Sequence, residues 1–228
     1  MDFILDGIFK AAVLLISLDH STWTAVAATL KASTGSMLLS MVMGLPLGFA
    51  LGYFHFPGKR ALRTMVDTLL ALPTVSVGLI IYALISSRGP LGEYQLLFTL
   101  TGIALGQTLL ALPIIIAITA STIENIDPDL KLTLISLGAG KQNIITTCLW
   151  EVRYAILAGV ITAYGRVLTE VGISMMVGGN IKYHTRTITT AIALETNKGQ
   201  FADGIALGIV LILIAFAVNL SLACLRKR

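Results

Sequence analysis

The stretch that decides the fold is residues 153–195, which read RYAILAGVITAYGRVLTEVGISMMVGGNIKYHTRTITTAIALE. Its first half is apolar and long enough to cross a bilayer as a helix, yet it contains Arg166 and Glu170. Its second half is a polar loop that begins with two glycines and carries Lys182 and Arg186. Charged side chains are costly at bilayer depth and are typical of a solute route. The stretch therefore predicts a membrane protein with a solute pathway.

Composition assigns the whole chain to a membrane. Of its 228 residues, 56% are hydrophobic and 12% are charged, which leaves too little polar surface to cover a soluble globule. The net charge of +4 occurs as short clusters beside apolar runs, a pattern typical of loops at a lipid surface and not of a nucleic-acid interface. Cys148 and Cys224 are far apart in sequence, so neither a disulfide framework nor a metal cluster is predicted.

Five apolar runs are long enough to cross about 30 Å of hydrocarbon as helices. They occupy residues 32–54, 64–87, 96–122, 154–177 and 203–225. The stretch from Phe3 to Leu18 is shorter and contains Asp6 and Lys10, so we interpret it as an amphipathic helix at the membrane interface. A sixth span is the alternative. The predicted fold class is an all-α integral membrane protein, with residues 1–228 forming a single transmembrane domain.

Positive charge predicts the orientation of these spans. Basic residues follow the first span, lie between the third and the fourth, and close the chain: Lys59, Arg60, Arg63, Lys131, Lys141, Arg153, Arg226, Lys227 and Arg228. Placing these segments in the cytoplasm satisfies the positive-inside rule. We therefore expect a multi-pass protein of the cell (inner) membrane with its N-terminus outside and its C-terminus in the cytoplasm.

Glycine and proline predict how the spans pack. Gly44, Gly48 and Gly52 recur at four-residue spacing, which allows helix backbones to approach closely where lipid gives no hydrophobic drive. The same spacing recurs in two later spans. Three prolines lie inside the predicted spans, at Pro46, Pro73 and Pro113. Each removes a backbone hydrogen bond, so a kink is predicted at each position.

The longest polar interruption, residues 123–152, has the signals of two short cytoplasmic helices. Asp127 is suited to cap the first helix, and Gly138 is suited to the position that ends it. A second amphipathic stretch follows at residues 141–153. We therefore expect a compact cytoplasmic coupling segment whose two helices meet at residues 138–140.

The sequence carries no sign of catalysis. The letters LGAGKQ do not form a phosphate-binding loop, because Ile135 and Gln142 stand where that pattern requires glycine and Ser or Thr. Neither a nucleophile motif nor a metal-ligand constellation occurs. No catalytic residue, metal site or cofactor is predicted, so ATP and Mg²⁺ must be bound by a separate ATPase if ATP powers transport.

The segment LISLGAGKQN at residues 134–143 resembles the cytoplasmic motif EAA…G…I.LP of type I ABC importer permeases, with Gly138 as its glycine. The chain departs from that motif at residues 132–134, which replace EAA, and at residues 150–151, which replace Leu-Pro. The resemblance implies that this segment docks on the ATPase without the usual acidic contact. The residues implied in that coupling are Leu132, Leu137, Gly138, Ala139 and Gly140.

The later stretch is similar to the signature of tetrahedral-oxyanion permeases, in which GE(F/Y)G precedes GNIP…T.T. This chain has TEVG at residues 169–172, GNI at 179–181 with Lys182 in place of proline, and TRT at 185–187. With LETNKG at 194–199, it is most similar to the permease subunits of tungstate-uptake ABC systems. The resemblance implies a type I ABC importer permease fold and a homodimer that works by alternating access with a cytoplasmic ABC ATPase and an extracytoplasmic solute-binding protein.

Two sets of residues are candidates for function. Arg166 and Glu170 are four apart and are expected to pair on one helix face, either holding the bundle together or lining the pathway. In the loop 178–187, glycine amides, neutral donors and cations are expected to contact a dianion. The side chains concerned are Asn180, Lys182, Thr185, Arg186 and Thr187, with a plain solvated loop charge as the alternative for Arg186. Glu195 and Lys198 are expected to meet the binding protein or each other.

Other functions stay open at this point. Tungstate and molybdate are nearly equal in size and charge, so a molybdate- or sulfate-type permease is an alternative. An ion-coupled secondary carrier is disfavoured, because no inverted repeat is visible and few titratable groups lie inside the spans. A membrane-embedded enzyme would need a nucleophile or a metal constellation, and the sequence offers neither.

Overall fold

The structure, a computed structural model, describes residues 2–17 and 19–226, and of residues 2–3, 128, 131, 141 and 221–226 it describes the backbone alone. Leu18 and the terminal cations Lys227 and Arg228 lie outside the described residues. The described part of the chain is helical, without a strand. Its ten α-helices are Asp2–Ile16 (α1), His20–Tyr53 (α2), Lys59–Leu70 (α3), Thr74–Ile85 (α4), Leu100–Glu124 (α5), Pro128–Ser136 (α6), Lys141–Leu168 (α7), Gly172–Gly178 (α8), Ile188–Asn197 (α9) and Phe201–Arg226 (α10).

Four of these helices, α2, α5, α7 and α10, are long and apolar enough to cross a membrane. The pair α3 and α4 gives a fifth crossing if it is counted as one broken span. The all-α fold with about five spans is therefore confirmed among the described residues. The first span begins at His20 rather than at residue 32, because Asp19 caps α2 through a 2.8 Å hydrogen bond from the Thr22 amide.

The second predicted span, residues 64–87, is not one helix. It is bent by 99° between α3 and α4. Pro73 stands at the N-cap of α4. Because a proline ring disfavours the helical conformation in the residue before it, here Leu72, α3 does not continue into α4. Pro46 and Pro113, by contrast, lie inside continuous helices. The sequence predicted a kink at each of the three prolines, but of these three only Pro73 separates two helices.

The N-terminal helix α1 is present as predicted, and its 15 residues span only about 22 Å, less than the hydrocarbon thickness. It packs against the first turns of α10. A Cβ added to Gly7 would lie 2.5 Å from the Ile205 side chain, and Lys10 forms a 2.6 Å ion pair with Asp203. Its placement at the membrane interface stays a prediction.

The most extensive contact between described helices joins α2 to α5 and includes the predicted glycine series. A Cβ on Gly48 would lie 2.8 Å from the Ile116 carbonyl oxygen, and one on Gly52 would lie 2.7 Å from that of Ala120. A Cβ on Gly44 would lie 2.8 Å from the Ile115 side chain. The glycines therefore let the two backbones touch, as their spacing predicted.

The segment between α5 and α7 holds one short helix, not two. Asp127 caps α6 by accepting the Asp129 amide at 2.9 Å, and Gly138 follows the helix with φ +76°. The prediction of a separate helix at residues 141–153 is wrong, because α7 runs unbroken from Lys141 to Leu168. Nothing in the sequence of this helix interrupts it, so it is longer than the roughly 30 Å of hydrocarbon that a span must cross. At 28 residues it is about 42 Å long.

Candidate functional site

The site is built around a break in the fourth predicted span. That span was expected to cover residues 154–177, but α7 ends at Leu168 and the short helix α8 begins at Gly172. The break brings α8 close to the start of α4, where a Cβ on Gly172 would lie 3.0 Å from the Val75 backbone nitrogen. Irregular backbone at bilayer depth is tolerated only where protein buries it or where it lines a cavity.

Glu170 lies inside this break, and its side chain is only 2% exposed. One carboxylate oxygen, Oε2, accepts a 3.0 Å hydrogen bond from Arg166, and the other, Oε1, accepts the Ile173 amide at 3.2 Å. The structure therefore brings Arg166 and Glu170 together across the end of α7 rather than along one helix face. Glu170 also serves the first turn of α8, a second role that the four-residue spacing did not reveal.

Helix α8 is held against the bundle by further polar and close contacts. Gln107 of α5 donates from Nε2 to the Ser174 hydroxyl at 3.3 Å. A Cβ on Gly106 would lie 2.5 Å from Ile173, and one on Gly78 of α4 would lie 3.2 Å from the Ile173 Cα. The two interrupted helices α4 and α8 are thus packed together beside α5.

The loop after α8 is wound tightly. Gly179, Asn180 and Tyr183 have φ values of +66°, +50° and +65°. The Thr185 side chain is fully buried, donates to the Gly178 carbonyl and accepts the Ile181 amide at 3.2 Å. Thr185 therefore holds the loop in this conformation, and its contact with a solute stays a prediction.

Arg186 reaches back across the loop to Asn180. Its Nε donates to the Asn180 side-chain oxygen at 3.1 Å, and one terminal nitrogen donates to the Asn180 backbone carbonyl at 3.5 Å. Thr190 donates to the same side-chain oxygen at 3.1 Å. Both Asn180 and Arg186 remain partly exposed, so this pair keeps one face open to the outside of the loop.

Thr187 begins α9 as its N-cap, and its hydroxyl accepts the Thr190 amide at 3.3 Å. Its side chain is buried, like that of Thr185, and its contact with a solute stays a prediction. Thr189 donates to the Glu170 carbonyl at 2.9 Å and so connects α9 to the helix break. Sequence analysis missed Thr189 and Thr190, although the run TRTITT already showed the concentration of hydroxyls.

Lys182 lies at the exposed tip of the loop, with its Nζ 4.8 Å from the Tyr183 ring centre. Lys182 also interacts electrostatically with Asp19, the N-cap of α2. The pKa of the Asp19 carboxyl is lowered mainly by the hydrogen bond from the Thr22 side chain, and the nearby charge of Lys182 lowers it further. The loop therefore carries one exposed cation, Lys182, and one partly exposed cation, Arg186.

A polar cleft of about 300 Å³ opens beside Arg186, between α1, α2, α9 and α10. Its lining carries both signs of charge, from Asp19, Arg186, Glu195, Lys198 and Asp203. Glu195 and Lys198 form a 3.0 Å ion pair with each other, one of the two expected outcomes for these residues. Among the residues described, no group of three metal-ligating side chains is found.

The residues predicted to couple to the ATPase lie at the opposite end of the bundle. Leu132 of α6 is 61% exposed and Leu137 is 78% exposed. Residues 138–140 form the turn between α6 and α7, and a Cβ on Gly138 or Gly140 would meet no atom within 4 Å. This end of the bundle therefore presents an apolar and open surface.

Residues 44–228 match the family model described as "Binding-protein-dependent transport system inner membrane component". The chain belongs to this family. The tungstate uptake system permease protein TupB of Campylobacter jejuni subsp. jejuni serotype O:2 is 53% identical over 96% of this chain and 92% of its own length. TupB of Peptoclostridium acidaminophilum is 36% identical over 96% of each chain.

The fold is shared with solved transporters. A bacterial ABC transporter involved in the import of the acidic polysaccharide alginate has a TM-score of 0.77 and is 20% identical, with 96% of this chain and 83% of that chain covered. The chain is therefore a multi-pass membrane subunit with the type I ABC importer permease fold. It is a transport component and not an enzyme.

Proposed function

We propose that this permease is the membrane subunit of an ATP-driven importer whose cargo is a tetrahedral oxyanion, with tungstate as the specific ion. The observation that carries the proposal is the 53% identity to a tungstate uptake permease over almost the full length of both chains. The half-buried Arg186 and the exposed Lys182 at the outer loop supply the positive charge that a dianion needs.

The outer loop suits a pathway better than a tight binding site. A dianion that leaves a binding protein loses water, and charge-assisted hydrogen bonds of about 1.5–3 kcal/mol each offset part of that loss. Arg186 is already held by Asn180, so its guanidinium is oriented before the ion arrives. Too many cations would retain the ion, and the nearby carboxylates of Asp19 and Glu195 limit the excess of positive charge.

The opposite end of the bundle, where α6 and the start of α7 lie, supports a proposal for the energy source and the partners. We propose that two copies of the permease form a homodimer, that α6 of each copy docks on a cytoplasmic ABC ATPase, and that a solute-binding protein delivers the ion outside. ATP and Mg²⁺ would be held by the ATPase. Closure of the ATPase pair would pull on α6 and on the start of α7, which would open the bundle outward.

The position of the basic residues supports the proposed orientation. Lys59 lies near the start of α6, since it lines one cleft together with Asp127, and Arg60 and Arg63 follow it in α3. The positive-inside rule places that end in the cytoplasm. The outer loop and α1 then lie outside, and α10 ends on the cytoplasmic side.

The test is uptake by proteoliposomes that contain the permease with its ATPase, measured by mass spectrometry of internal tungsten. We expect uptake only when ATP is inside and the loaded binding protein is outside, with molybdate and sulfate competing less well than unlabelled tungstate. Uptake driven by an ion gradient without ATP would overturn the importer. Equal transport of molybdate would remove the assignment to tungstate while leaving the importer standing.

A further inference from the structure

A second charged site lies far from the outer loop, at the junction of α2, α3 and α5. It is an open pocket of about 710 Å³. Four of its lining side chains are basic or can become so, namely His55, Lys59, Arg60 and Arg63, and a single carboxylate, Glu124, faces them. The lining therefore has an excess of positive charge, and the proposed transport cycle makes no use of it.

The cations of this pocket differ in how far they are already paired. Lys59 binds Glu124 at 3.0 Å and also donates to the Gly52 carbonyl at 3.1 Å, which ties α3 to the end of α2. Arg63 lies 3.4 Å from Glu124 and 3.6 Å from Asp67. Arg60 is exposed and takes part in none of the ion pairs between described side chains. Arg60 is therefore the cation with the most capacity for a further anion.

The helix that carries the cations of this pocket also has an apolar face. Helix α3 has its charged residues on one face, and on the other it exposes Leu62, Met65 and Leu69. Val66 is buried against α5 and holds the helix alongside it. Phe56 in the pocket lining is also exposed, as is common for aromatic side chains at the level of lipid headgroups. Helix α3 thus combines a basic face, which lines the pocket, with an exposed apolar face.

We propose that this pocket binds the phosphodiester headgroup of an anionic phospholipid. Arg60 and Lys59 would contact the phosphate oxygens, while Leu62, Met65 and Leu69 on the other face of α3 would lie among the acyl chains, as in an amphipathic helix at the membrane interface. Basic pockets between membrane helices bind headgroups of this kind through the same combination of charge and depth. A free dianion would gain nothing from the apolar face, and two of the three permanent cations are already engaged by carboxylates. The proposal does not depend on which ion the permease transports.

The experiment uses the purified complex of the permease with its ATPase in a neutral detergent. Native mass spectrometry counts the lipids retained after addition of phosphatidylglycerol or of phosphatidylcholine with the same acyl chains. We expect retention of phosphatidylglycerol over phosphatidylcholine, and weaker retention at high salt because the contact is electrostatic. Arg60→Gln should lower phosphatidylglycerol retention about five-fold, as expected for the loss of about 1 kcal/mol per surface cation.

Two further variants keep the test decisive. Arg60→Lys retains the charge and should retain most of the lipid, whereas Arg88→Gln removes an exposed arginine outside the pocket and should have no effect. Equal retention by wild type and Arg60→Gln, or equal retention of both lipids, would overturn the proposal. Arg60-dependent binding of tungstate or phosphate in lipid-free detergent, without preference between the two lipids, would identify a free-anion pocket and would overturn it as well.

Discussion

The Nε atom of Arg186 donates to the side-chain oxygen of Asn180 at 3.1 Å, across a loop in which Asn180 itself adopts φ +50°. Because Asn tolerates this left-handed conformation better than most residues, the loop can place its amide oxygen opposite the arginine. The hydrogen bond thereby holds the guanidinium at the polar cleft between α1, α2, α9 and α10. Arg186 has two separable roles, as a brace of the loop and as a cation that faces the cleft.

Arg186→Gln should lower tungstate uptake about ten-fold in proteoliposomes, because one charge-assisted contact of at least about 1.5 kcal/mol is lost. Basal ATP hydrolysis and the size of the complex should stay near wild type. Lys198→Gln is the matched control, since Lys198 lines the same cleft but is paired with Glu195. Uptake equal to wild type would make Arg186 a plain surface charge, and collapse of the complex would leave only its role as a brace.

Glu170 should be more sensitive to substitution than Arg166. Its carboxylate is buried and caps the Ile173 amide, whereas the Arg166 side chain is 47% exposed. Glu170→Ala leaves that amide unsatisfied, which costs about 1–3 kcal/mol. Glu170→Gln keeps an acceptor oxygen and should lose less. Thermal unfolding of the purified permease, followed by fluorescence-detected size exclusion, ranks the variants.

Exchanging the two charges should not have the effect on stability that simple ion pairing predicts. Arg166→Glu combined with Glu170→Arg should not restore stability, because an arginine at the buried position cannot accept the Ile173 amide. Full recovery by the double variant would show that the ion pair alone matters and that the cap of α8 does not.

The number of spans and the glycine seam were predictable because both depend on local sequence. A run of apolar residues must be long enough to cross the bilayer, and Gly44, Gly48 and Gly52 must share a helix face at four-residue spacing. The break after Leu168 was not predictable in this way. Residues 169–171 are no worse as helix formers than many residues in α2, and the break is stabilised by contacts from α4 and α9 that lie far away in sequence.

The position of the loop could be predicted from the sequence, but its internal hydrogen bonds could not. Two glycines and several polar residues indicated a loop at residues 178–187, yet the sequence does not distinguish one hydroxyl there from another. Their burial in the fold determines which of them bind backbone groups. Thr185 and Thr187 turn inward to satisfy backbone groups, while Arg186 keeps a partly exposed guanidinium because of its longer side chain.

Gly48→Ala should destabilise the bundle strongly, because the new Cβ would lie 2.8 Å from a carbonyl oxygen of α5 and backbone cannot move aside as a side chain can. Overpacking of this kind costs about 1–3 kcal/mol. Gly208→Ala is the control, since a Cβ there meets nothing within 4 Å. The melting temperature in detergent should fall for the first variant and should stay unchanged or rise slightly for the second, because alanine favours a helix more than glycine does. Equal melting temperatures would mean that α2 and α5 can separate at little cost.

The last prediction concerns the turn that connects α6 to α7 at the proposed ATPase dock. Gly138 has φ +76° and Gly140 has φ −66°, although both lie in open space. Gly138→Ala therefore strains the turn by about 1–2 kcal/mol, whereas Gly140→Ala should be tolerated. If α6 must hold Leu137 at a fixed angle to dock, affinity-purified Gly138→Ala permease should retain about five-fold less ATPase than wild type, with the same yield in the membrane. Gly140→Ala should retain a normal amount. Equal loss from both variants would point to a steric clash with the ATPase, and no loss from either would remove this turn from the docking surface.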